Sequence, residues 1–149
     1  FRILLPSTMP FSLPLAPSLE DVDDLGHVNN VVWLRWVQEV SAAHWEALAP
    51  AELRERLKWV VRRHELDYLG AAFPGDRLVA ETWVGETRGV TSIRHVVIRN
   101  AEGKELLRAQ TMWIAWDPVA GRPRRIDSEL ERILLPLKDP PAGPPVRSP

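Results

Sequence analysis

Cysteine is absent from the 149 residues. That excludes a disulfide framework, a thiolate zinc site and a cysteine nucleophile together. Clustered histidine is absent as well. The four His, at 27, 44, 64 and 95, lie 17, 20 and 31 residues apart, and none of these separations makes the short ligand pair of an ordinary zinc site. Neither charge is in excess: 19 Lys and Arg face 20 Asp and Glu, a formal net charge of -1, which argues against a general binder of nucleic acid. No apolar run approaches the ~20 residues of a membrane-spanning helix, so no membrane partner is expected. The start, Phe1 to Ser18, faintly resembles a signal peptide, but Pro6, Pro10, Pro14 and Pro17 break any h-region helix. A cytoplasmic location is the expectation, consistent with the missing cysteine. Met9 offers an alternative start.

The length and a 45% hydrophobic share fit one domain with a substantial core. Residues 1–17 read as a Pro-rich extended segment, 18–135 as the single domain and 136–149, with six Pro, as a tail. A first strand is placed near Phe11 to Leu19, where Pro is tolerated only at an edge. Val31 to Leu48 reads as a helix. Trp33, Trp36, Val37, Val40, Ala47 and Leu48 share a face, and Val32, Leu34, Ala42 and Ala43 thicken it, so the helix is expected to be enclosed. Pro50 ends it, and a short helix over Ala51 to Arg56 follows. From Lys58 the period changes. Lys58–Leu69, Arg77–Val84, Val90–Arg99 and Glu105–Trp116 are rich in Val, Ile, Thr and Trp and are separated by turn signals, as in consecutive antiparallel strands. Ser128 to Leu135 reads as a terminal helix. One sheet with one long helix is an α+β fold, and it leaves an edge for a second copy to pair with.

The loop entering the long helix carries Asp21, Asp23, Asp24, Gly26, His27, Asn29 and Asn30. As an EF-hand loop it fails, because Leu25 and Val32 stand where ligands are needed. Acids before a helix are often only solvated caps. The same arrangement also sets a carboxylate, able to attack or to activate water, beside unpaired first-turn N–H groups at the positive end of the helix, where a developing oxyanion would be stabilised. Gly26 lets the backbone turn sharply and leaves room for substrate. His27 orients the carboxylate, bonds substrate or merely packs. Asn29 and Asn30 are caps or amide donors. Glu39 is an Arg-paired surface acid or a site residue. His44 reads as core or interface, and His64 and His95 as structural.

The run Asp21-Val22-Asp23-Asp24-Leu25-Gly26-His27-Val28-Asn29-Asn30, followed by Val31 to Trp36, resembles the signature D-x-D-x-x-G-H-V-N-N-x-x-Y-L-R of hotdog-fold acyl-CoA thioesterases, in the 4-hydroxybenzoyl-CoA thioesterase-like branch. The Gly75-Asp76-Arg77-Leu78 turn and the Arg108 to Trp113 strand are similar to that branch too. Trp33 stands where the pattern has Tyr. The resemblance implies an antiparallel sheet of about five strands wrapped around one long central helix. It also implies a homodimer or a dimer of dimers (a homotetramer), and acyl-CoA hydrolysis without metal or separate cofactor.

In this pattern Asp23 takes the catalytic position, nucleophile or general base, with His27 and Asn30 beside it, and Asp21 the more structural one. CoA contacts are expected from Gly26 and Asn29, and from Arg residues at the pocket mouth. Arg88 and Arg94 are preferred, ahead of Arg62, Arg63 and the Arg122–Arg125 turn. Trp33 and Trp36 are candidates to line an acyl pocket. The rival readings are a non-catalytic acyl-CoA or acyl-carrier-protein binding module and, lower, a hydratase on the same fold.

Overall fold

The computed structural model of the chain describes residues 10–134. In chain order these form β1 (Phe11–Leu15), a 3-10 turn (Leu19–Asp21), α1 (Asn30–Leu48), α2 (Ala51–Arg56), β2 (Lys58–Tyr68), β3 (Leu78–Arg88), β4 (Thr91–Arg99), β5 (Glu105–Asp117), a two-residue β6 (Arg122–Pro123) and α3 (Ser128–Leu134). The strands make one antiparallel sheet in the order β1-β3-β4-β5-β2, with β6 on β5. The sheet curls around α1, helped by breaks of register between Val84 and Thr87 and between Val61 and Arg63, where extra residues bend a strand. This is the hotdog arrangement that the loop motif implied.

α1 starts where Asn29 caps it, its side-chain oxygen accepting the Val31 N–H at 3.1 Å. It stops at Ala49, whose N–H still reaches the Trp45 carbonyl, because Pro50 follows and disfavours helical geometry in the residue before it. Val32, Trp33, Trp36, Val37 and Val40 are buried in one cluster with Leu78, Ala80, Val96, Ile98 and Leu107 of the inward sheet face. The rings of Trp33 and Trp36 meet edge to face at 5.2 Å. Removing a Trp from such a cluster costs about 3–5 kcal/mol. A second cluster, with Leu53, Leu57, Val84, Ala115 and Leu130, closes the C-terminal end of α1 under α2 and α3.

Four expectations change. β2 does not pair with β3; it crosses to the far side of β5, with Leu66 opposite Ala109 and His64 opposite Thr111. The Pro74–Asp76 signal is a local turn, closed by the Asp76 N–H to the Phe73 carbonyl, within a link too long for a hairpin. α1 is not fully enclosed, since Gln38, Ala42 and Ala47 are exposed and Val31 is 66% exposed. β1 ends at Leu15 and belongs to the sheet, with Phe11, Leu13 and Leu15 against the core, so residues 11–15 of the segment expected to precede the domain are part of its sheet. Pro14 is accommodated because β1 is an edge strand. The expected tail, 136–149, lies outside the described residues, as do residues 1–9.

Candidate active site

The loop before α1 is a small closed ring of backbone. The Asn29 N–H donates to the Asp21 carbonyl at 2.8 Å, the Asp23 N–H to the His27 carbonyl at 2.8 Å, and the Gly26 N–H to the Asp23 carbonyl at 3.0 Å. Val22 and Val28 bridge between them. Gly26 sits at φ +77°, and a Cβ built there would meet nothing within 4 Å. The glycine is therefore required by the turn, not by crowding within this chain.

The two acids of the motif have different surroundings. Asp21 is 8% exposed. Its carboxylate accepts the Ser18 N–H at 2.8 Å and the Ser18 hydroxyl at 3.2 Å, and pairs with Arg35 Nη2 at 3.0 Å. The Ser18 backbone bond, with help from Arg35, holds its pKa below the usual carboxylate range. Arg35 also meets Glu39 at 3.4 Å on the helix surface, so Glu39 is an Arg-paired surface acid. Asp23 is exposed. Its Oδ1 accepts the N–H groups of Leu25 at 2.9 Å and His27 at 3.3 Å, while Oδ2 has no partner among the described residues.

Asp23, His27, Asn30, Trp33, Tyr68 and the Leu69–Ala71 turn line an open hollow of about 360 Å³. His27 stands edge-on to Phe73, ring centres 5.2 Å apart. At the helix end the Val31 N–H goes to the Asn29 side chain and the Val32 N–H to the Asn29 carbonyl, so Asn29 is a cap. The Asn30 N–H has no partner among the described residues. No acidic side chain occupies the first turn, so the positive end of the helix dipole is not offset there.

The far wall of the hollow escaped the sequence reading. Tyr68 donates its hydroxyl to the Asn30 carbonyl at 3.2 Å, and Gly70 lets the next turn lie so close that a Cβ would come 2.8 Å from Leu106 Cδ2. The signals were the only Tyr of the chain and a Gly directly after a strand. The preferred Arg residues do not line this hollow. Arg88 is at the opposite end of β3, beside the Gly89 turn. Arg94 is 6% exposed under α1, its Nη1 donating to His44 Nδ1 at 2.6 Å and Thr82 Oγ1 at 3.1 Å. It points inward because even-numbered positions of β4 face the core. Burial, with Arg94 beside it, lowers the His44 pKa to about 3, so the ring is neutral and accepts at Nδ1.

A family model described as "Thioesterase superfamily" matches residues 25–107. The acyl-CoA thioester hydrolase YbgC of Escherichia coli is 26% identical over 127 residues, 83% of this chain and 95% of that protein. Among solved structures, the probable thioesterase YbaW of Escherichia coli superposes with a TM-score of 0.78 at 19% identity, covering 87% of this chain and 99% of that one. A Thermus thermophilus thioesterase complexed with coenzyme A and Zn gives 0.75 at 21%, covering 85% and 98%.

Proposed function

The chain belongs to the thioesterase superfamily, and from that premise we propose that it hydrolyses an acyl-CoA thioester to the free acid and CoA, with Asp23 as the working carboxylate. One observation carries the assignment: Asp23 keeps an oxygen free at the rim of a hollow whose floor is the unneutralised N-terminus of α1. In this reading the thioester carbonyl sits over the Asn30 N–H, which polarises it. Asp23 either adds to the carbonyl carbon, giving an acyl anhydride that water then opens, or takes a proton from the water that attacks. In both routes the C–S bond breaks, and the CoA thiolate leaves and is protonated. His27 borders the same hollow and contacts substrate. The chain works as a homodimer or a dimer of dimers. YbgC is named for the same reaction.

The test is Asp23→Asn, assayed by thiol release from a panel of acyl-CoAs. The amide oxygen can still accept the Leu25 and His27 N–H groups, so the loop keeps its shape. The maximal rate is expected to fall by about 100-fold or more with an unchanged melting curve. A rate within a few-fold of wild type would move the chemistry elsewhere. A wild-type protein that binds acyl-CoA without releasing thiol would be a binding module instead.

A further inference from the structure

A second cavity, of about 350 Å³, opens toward the C-terminal half of α1 and shares no lining residue with the Asp23 hollow. Along β4, Arg94 is four residues from Ile98 of the Tyr68 row, a spacing of about 13 Å. We propose that this cavity is a binding site for an apolar carboxylate, a fatty or aromatic acid anion whose carboxylate meets Arg94. The cavity is built from three indoles, Trp45, Trp59 and Trp113, with Leu57 and Val84 between them, which suits a hydrocarbon body. Its polar atoms ask for an acceptor. Arg94 is buried with no carboxylate paired to it among the described residues. Burial lowers its pKa only to about 10, so it is charged at neutral pH. Nη1 is held by His44 and Thr82, which leaves Nε and Nη2 for a ligand.

Two further lining residues carry buried N–H donors without partners among the described residues, Trp113 Nε1 and Arg54 Nε. Buried donors are ordinarily satisfied, and a buried charge is ordinarily paired. Donors of this kind call for an acceptor-only group, and among common ligand groups that is a carboxylate. Lys58 adds a cation at the rim against the single acid Glu46, which is exposed.

The experiment is equilibrium binding to the full-length protein, read by intrinsic tryptophan fluorescence, with decanoate and decanamide as probes below their aggregation limits. Decanoate should give a saturable change and bind at least about tenfold tighter than the amide, since the amide forfeits the charge-assisted bonds. Arg94→Gln should abolish that preference, and Trp113→Phe, which keeps an aromatic ring but removes the N–H donor, should weaken decanoate several-fold and the amide less. No saturable change with decanoate, equal binding of acid and amide, or a preference that survives Arg94→Gln would each overturn the proposal. If Arg94→Gln does not fold, the acid-to-amide comparison on wild type and Trp113→Phe decides alone. Binding needs no turnover, so the result is independent of thioester hydrolysis.

Discussion

Gly26 separates two reasons for a glycine in the loop before α1: backbone conformation, or room for substrate. Its φ of +77° lies in the left-handed region, and apart from its own chain neighbours no atom of the described residues lies within 4 Å of a Cβ added there. For Gly26→Ala the native-state cost is therefore strain alone, about 1–2 kcal/mol. The loss of unfolded-chain entropy offsets about 0.4–1 kcal/mol of it. The net destabilisation, up to about 1.6 kcal/mol, lowers the melting temperature by up to about 6 °C for a domain of this size. Gly26→Asn should be milder than Ala, because Asn enters the left-handed region with little penalty. Thermal melts and thiol-release rates on the two variants make the comparison. If conformation is what matters, Asn recovers both stability and rate relative to Ala. An Asn variant slower than the Ala variant, despite a higher melting temperature, would show that bulk at this rim obstructs substrate. Asn melting below Ala would refute the conformational argument itself.

The pH dependence of stability is set in part by His44. Its folded pKa of about 3 lies below the ordinary 6.5, so the unfolded chain binds the extra proton. The contribution is fully present above about pH 6.5 and is lost as pH falls toward 3, at about 1.4 kcal/mol per pH unit. His44→Gln, which keeps an acceptor for Arg94, should flatten the denaturant-derived stability between pH 4.5 and 6.5 by about one proton; an unchanged slope would remove His44 from the account. Activity is expected to survive EDTA, since no three His, Asp or Glu among the described residues gather around a point. Loss on chelation with recovery on zinc would refute that. Light scattering at micromolar protein should give a multiple of 16.9 kDa, because β2 presents an eleven-residue open edge and Tyr68, Leu69, Phe73 and Val31 are exposed around the hollow. A fully active monomer would defeat the dimer.

Local chemistry made α1, a cap at Asn29 or Asn30 and the rough positions of the five long strands legible in the sequence. These depend on apolar period, capping oxygens and Pro or Gly punctuation, all of which act within a few residues. The Gly85–Gly89 turn signal, by contrast, proved to be strand as far as Arg88, and β6 was not foreseen. Strand order was not legible. Both β3 and β5 offered β2 an alternating apolar face, and only the curl of the sheet around α1 selects β5. The inward row of β4 was missed for a related reason. A period-two pattern marks Arg94 as inward once Val96 and Ile98 are known to be core, but an Arg on a strand reads first as a surface cation. Tyr68 and the Leu69–Ala71 turn became site residues through the crossover, a long-range event that no local signal encodes.

Asp21 and Asp23 are the same residue type two positions apart in one loop, and their roles diverge through partners alone. Asp21 receives two Ser18 donors and Arg35. That depresses its pKa and makes it a fixed anion that fastens the loop to α1, with little basicity left for proton transfer. Asp23 receives two backbone N–H groups on a single oxygen, enough to aim the side chain and not enough to occupy it. The closed ring from Asp21 to Asn29 makes these outcomes interdependent: the Asn29 N–H that completes the ring through the Asp21 carbonyl belongs to the residue that caps α1. Fastening the first acid thereby fixes the start of the helix, and with it the position of the Asn30 N–H relative to the second acid. A carboxylate and an oxyanion donor must hold their mutual geometry to about 0.5 Å to be productive. In the proposed reading that geometry rests on one short ring of backbone hydrogen bonds and on the Asp21–Arg35 ion pair, whose carboxylate is buried and whose guanidinium is half exposed.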